Sequence, residues 1–147
     1  MLTKHYLIPL LCLTLCYACA SPSTKTEANL APLYNRIGGS IAISTITDVL
    51  VDKMERDKRI NPLLVDSNIT QLKQQITTYL CAISDGNCRY TGQPIKDVLT
   101  TLAITTEQFE IIRKHFVNTM IQFHVPLRVQ KDMIKRLHPL KKHSIGQ

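Results

Sequence analysis

The chain has 147 residues, 44% of them hydrophobic and 20% charged, with five glycines and seven prolines. That length holds one compact domain and excludes a two-domain enzyme, and the composition excludes a collagen-like or linker-dominated chain. Eighteen Lys and Arg against eleven Asp and Glu give a formal net charge of +7. Such a charge suits an anionic surface, but the bases read as spread along the chain, and no aromatic-interleaved basic motif marks a nucleic-acid binder.

Lys4 and His5 precede an apolar run from Tyr6 to Tyr17 and then small residues, the order of a secretory signal. The run is too short to cross a bilayer as a helix. Residues 1–20 are therefore read as a signal peptide, with Ala18-Cys19-Ala20 as a small-x-small site cleaved before Ser21. Cys19 behind Ala18 also resembles the lipid-attachment cysteine of bacterial lipoproteins, so free secretion and lipid anchoring both stand. The expected location is the periplasm, free or held at a membrane. Residues 21–31 are polar and aperiodic and read as a tether, with the folded domain over 32–147.

Past the Gly38-Gly39 break, Ile43, Ile46, Leu50 and Met54 recur at spacings of three and four, which predicts a helix from about Ser40 to Arg56. Ile60 to Leu64 is a short apolar piece interrupted by Pro62. Asn68 with Gln71 predicts a helix start, followed by a stripe of Ile69, Leu72, Ile76, Tyr79, Leu80 and Ile83 that stops at Asp85-Gly86. Pro94 opens a short helix with Ile95, Val98, Leu99 and Leu102. Thr105 with Gln108 forms a second capping pattern before Phe109, Ile112, Phe116, Met120 and Phe123. Pro126 suits the start of a last helix, with Val129, Met133, Leu137 and Leu140 inward and Arg128, Lys131, Lys135 and Arg136 outward. No strand-like alternation lies between these segments, and the fold class is all-α.

Cys12, Cys16 and Cys19 lie in the leader, which leaves Cys81 and Cys88 around Ser84-Asp85-Gly86. In an oxidising compartment the two can close a disulfide loop; the alternative is a pair of packed thiols. No Cys or His pair stands nearby at zinc-site spacing.

Leu33-Tyr34-Asn35-Arg36-Ile37-Gly38-Gly39, Tyr90-Thr91-Gly92, Ile104-Thr105, Phe109, His115, Val125-Pro126 and Pro139-Leu140 together resemble the group 1 truncated haemoglobin family. The resemblance runs from Leu33 to about Leu140. It implies a globin-like two-over-two helical sandwich, a haem cofactor held by a proximal histidine, and oxygen binding steadied by polar distal groups. It also places a cysteine pair like that of exported members around the turn before Tyr90.

Carried over position by position, the proximal histidine falls on Leu99, the distal tyrosine on Val51, the distal glutamine on Ile76 and the aromatic against the porphyrin on Leu64. Gln75 stands where a cation commonly meets a haem propionate, and Leu72, Ile95 and Phe109 complete the pocket-equivalent positions. Leucine has no lone pair for iron. The polar pocket positions have become aliphatic while the turn glycines and helix-starting prolines stay, the direction expected when an unpaired buried polar group would cost about 1 to 3 kcal/mol.

Other ligands have plainer readings. His115 is expected to be a satisfied histidine on a half-buried helix face, His124 a helix-end cap, and His138 and His143 solvated members of a basic tail. Tyr79, Met54 and Met120 read as core. Asp85, Asp97 and Glu107 read as turn and helix-start residues, and there is no phosphate-cradling loop, nucleophile elbow or paired-carboxylate spacing. The sequence thus predicts an exported, truncated-haemoglobin-like protein with a degenerate haem site and no confident metal ligand. Its role would be binding or interaction, with an apolar small molecule or haem, an anionic membrane surface or a protein as partner. The alternatives are a working haem protein that binds oxygen or nitric oxide through an unusual axial ligand, and a plain structural module. Nitric oxide dioxygenation would follow only with haem bound.

Overall fold

The computed structural model describes residues 31–144; the signal peptide, Cys19 and nearly all of the tether read from the sequence lie outside the described residues. Among the described residues six α-helices follow one another: α1 (Leu33–Ile37), α2 (Gly39–Arg56), α3 (Ile69–Ile83), α4 (Ile95–Thr101), α5 (Thr106–Gln122) and α6 (Leu127–Leu137), with 3-10 turns at Asn61–Leu63 and His138–His143. No β-strand occurs among the described residues.

Local chemistry sets the helix ends. α1 stops at Gly38, whose φ of 110° is left-handed and whose N–H reaches the Asn35 and Tyr34 carbonyls. A Cβ there would also lie 2.7 Å from that of Ala42, so both backbone and space demand glycine. The Asn68 side chain accepts from the Gln71 N–H to start α3. Thr105 and Gln108 form a full capping box on α5, each side chain meeting the other's backbone N–H. Pro94 and Pro126 stand immediately before α4 and α6.

α2 is the central element, packed along both α3 and α5, while α1 bridges to α6. The stripe Ile43, Ile46, Leu50 and Met54 is buried as its spacing predicts, together with Thr47 and Val51. The four stripe residues meet Leu33, Leu80, Phe116, Met120, Val129 and Met133 in the main core. A smaller cluster of Leu99, Ile104 and Phe109 lies on the α4 side. Phe123 departs from the expected inward stripe: α5 ends at Gln122, and Phe123 caps it with 39% of its surface exposed. At the other end of α5, Ile111 is buried while Ile112 of the expected stripe is half-buried, and Leu140 falls past α6 on the second 3-10 turn.

Polar ties close the rim. The Arg136 guanidinium donates to both carboxylate oxygens of Asp85, at 2.7 and 2.6 Å, and to the Ile83 carbonyl at 2.6 Å. Arg36 pairs with Asp132 at 2.8 Å. Cys81 and Cys88 are joined in a disulfide, with Cα atoms 5.8 Å apart, which ties the end of α3 to the loop leading to α4.

Candidate functional site

A cavity of about 180 Å³ lies between α2, α3, α4 and α5, with the end of α6 closing one side. α3 contributes Leu72, Gln75, Ile76, Tyr79 and Leu80, a single face at spacings of three and four; α4 contributes Ile95, Val98 and Leu99; α5 contributes Phe109, Ile112, Arg113 and Phe116. Leu50 and Met54 of α2, Leu63 of the first 3-10 turn and Leu64 directly after it complete the floor. The wall is hydrocarbon except for Gln75, Tyr79, Arg113 and the Met54 thioether.

Of the eight pocket-equivalent positions, Leu99, Leu64, Leu72, Gln75, Ile76, Ile95 and Phe109 all line this cavity. Val51 does not: it is fully buried, but its neighbours Leu50 and Met54 are the α2 residues on the wall. The rotation of α2 against α3 and α5 decides this, because Val51 is also on the inward side of the helix. Tyr79, Ile112 and Phe116 belong to stripes that periodicity reads as core; only the packing makes them cavity wall. The Tyr79 ring meets Tyr90 edge-on, with centroids 5.3 Å apart.

The donors do not fit iron held by a histidine. Leu99, the position expected to be proximal, is 7% exposed and lines the cavity within the cluster it forms with Ile104 and Phe109. None of the wall residues is a histidine or cysteine. Burial and, secondarily, the nearby Tyr90 push the Tyr79 phenol above its ordinary range. No group of three or more His, Cys, Asp or Glu able to hold a metal occurs among the described residues.

His115 is off the wall. Its Nε2 lies 2.8 Å from the Asp57 carboxylate, the satisfied histidine expected. Arg59, through its side chain and then its backbone N–H, and next His115, hold the Asp57 carboxyl well below the usual carboxylate range. Lys53 lies alongside, donating to Thr119 Oγ1 at 3.0 Å and Gln122 Oε1 at 3.1 Å, so this cluster clamps α2 to α5. His124 differs from expectation: it sits exposed at φ 54°, and its backbone N–H, not its ring, meets the Ile121 carbonyl. His138 is exposed and His143 half-buried. Asp85 occupies a left-handed turn position at φ 62°, and Asp97 and Glu107 lie in the first turns of α4 and α5.

An all-α sandwich built around an apolar cavity is the architecture of a globin. The family model for bacterial-like globins matches residues 32–145, and the chain belongs to that family, among the truncated globins. A group 1 truncated hemoglobin from Mycolicibacterium paratuberculosis is 25% identical over 78% of this chain and 84% of its own length. One from Nostoc commune is 24% identical over 76% and 95%. In fold, the truncated hemoglobin of Tetrahymena pyriformis in its Fe(III) form superimposes with a TM-score of 0.73 at 18% identity, covering 78% of this chain and 98% of that one. The 2/2 hemoglobin of Synechococcus sp. PCC 7002, which carries covalently attached heme, gives 0.73 at 19% identity, covering 77% and 97%.

Proposed function

We propose that this chain is an exported truncated globin whose haem site is degenerate, and that its cavity takes a small apolar molecule in place of an iron porphyrin. The observation that carries this reading is Leu99, buried on a cavity wall that bears no histidine. Globin iron needs a lone pair on the proximal side, and a leucine side chain supplies only hydrocarbon. The volume supports the reading as well: about 180 Å³ is close to the roughly 150 Å³ of an engineered apolar cavity that binds benzene or xenon, and below the roughly 300 Å³ at which drug-sized sites begin. The export half rests on the Lys4-His5 start and the apolar run from Tyr6 to Tyr17. The mass of the mature N-terminus distinguishes cleavage before Ser21 from acylation of Cys19.

Haem titration tests the site. The purified chain is expected to give no sharp, saturable Soret band, while Leu99→His gains haem affinity and benzene binds to the unmodified protein but not to a variant with Leu72→Phe. The second reading, a haem protein with an unusual axial ligand, is favoured by Tyr79 and Met54 on the wall. A saturable band in the unmodified chain that disappears with Tyr79→Phe would establish it, and only then would oxygen binding or nitric oxide dioxygenation be at issue.

A further inference from the structure

The net charge, read from composition as spread along the chain, is in fact localised. Residues 1–110 hold ten Lys and Arg against ten Asp and Glu; residues 111–147 hold eight against one. The single acid of that last stretch, Asp132, is occupied by Arg36, and Arg136 is occupied by Asp85. The remaining cations of α6, Arg128, Lys131 and Lys135, lie at spacings of three and four on one exposed side of the helix and have no ion-pair partner among the described residues.

The same corner exposes hydrocarbon. Ile121, Phe123 and Leu127, at the turn from α5 to α6, are 55%, 39% and 64% exposed, half of the large hydrophobic side chains exposed among the described residues. Leu127, Lys131, Ile134 and Lys135 form one wall of an open groove whose other wall includes Val117 of α5, so Leu127 and Ile134 face the same way as the two lysines. No carboxylate lines that groove.

We infer that the α5–α6 corner is a docking surface for an anionic phospholipid bilayer, with Ile121, Phe123 and Leu127 entering the headgroup boundary and Arg128, Lys131 and Lys135 meeting lipid phosphates. Charge complementarity selects an anionic host, because a concentrated, unneutralised patch attracts anionic lipid within about a Debye length of the surface. The apolar tips select a bilayer over a soluble polyanion: exposed aliphatic side chains gain from a membrane interface and from nothing on a nucleic-acid backbone. On the export reading this surface would be presented outside the cytoplasm. The docking itself does not depend on the state of the cavity, and failure of the haem or benzene test leaves it intact.

Sedimentation of the full chain with phosphatidylglycerol-containing vesicles, against pure phosphatidylcholine vesicles, tests this. An N-terminal apolar segment contributes to both lipids alike, so selectivity for the anionic vesicles reports the patch. Selective binding is expected, released by 0.5 M salt at about a 4 Å Debye length. Lys131→Glu with Lys135→Glu should lower it at least tenfold, and Leu127→Ser with Ile121→Ser should lower it several-fold at constant charge. All four positions are outside the core, and circular dichroism confirms that the variants stay folded. Equal binding to both lipids, or indifference to the charge reversals, overturns the proposal. So does binding that heparin abolishes and that Leu127→Ser with Ile121→Ser leaves unchanged, which would assign the patch to a soluble polyanion.

Discussion

The two sides of the molecule are filled differently. In the main core, Leu33, Ile43, Ile46, Ile60, Met120 and Met133 are all but fully enclosed. On the α4 side, a seven-residue helix buries only Leu99, and the space beside it stays open. α4 is placed by Pro94 at its start, by the Ile104 N–H on the Leu99 carbonyl at 3.0 Å and by the second 3-10 turn against which it packs. A tight core and a loosely filled flank in one small fold separate the part that holds the structure from the part able to admit a guest. Local opening concentrates where buried contacts are few.

Alanine substitution in each region should break the comparison if it is wrong. Met120→Ala removes a fully enclosed side chain and is expected near the upper end of the roughly 2 to 5 kcal/mol range for such changes, by urea unfolding. Leu99→Ala is expected near the lower end, since its side chain already borders empty space and loses fewer contacts. Equal costs would mean that the α4 side is as well packed as the core.

The disulfide sharpens the boundary between the regions. Cys88→Ala changes an exposed residue and frees the loop closed with Cys81; chain-entropy arithmetic for so short a loop gives a loss of about 2.5 kcal/mol. Amide exchange should accelerate in α4 and the loop before it, and little in α2. Acceleration spread evenly over α2 would show that the bridge supports the core.

The smallest effect concerns the rim. Hydrogen bonds from Arg136 hold the Asp85 carboxyl below its ordinary value of 3.8, so the folded state binds fewer protons there than the unfolded state. The stability this contributes is complete above about pH 4 and is lost as pH falls through the lowered value. Both partners are exposed, so the contribution is modest. Arg136→Met should lower the neutral plateau of a thermal-melt profile modestly and flatten its acid limb, so that at low pH the two profiles differ only by the loss of the Ile83 contact; an unchanged limb would remove the pair from the account.

Helix starts were legible because the interactions that set them span four residues or fewer: Asn68 with Gln71 and Thr105 with Gln108. The Gly38-Gly39 break was legible too, but not the short α1 that it ends. The placement of Leu99 in the pocket was legible through the family resemblance. Contacts of long sequence separation were not. His115 finds Asp57 58 positions away and Arg136 finds Asp85 51 away, and no local pattern encodes either pairing.

By itself, then, the amino-acid order determined five of the six described helices, all but the five-residue α1, together with the pairing-competent cysteines and the aliphatic character of position 99. Tertiary packing decided that Leu50 and Met54, and not Val51, face the cavity, that the Tyr79 stripe is wall as much as core, and that Phe123 and Leu127 reach solvent beside unpaired lysines. The reason is geometric: a helix's periodicity says which side is apolar, but its rotation against neighbours many residues distant chooses which of those apolar residues border a void, a core or water.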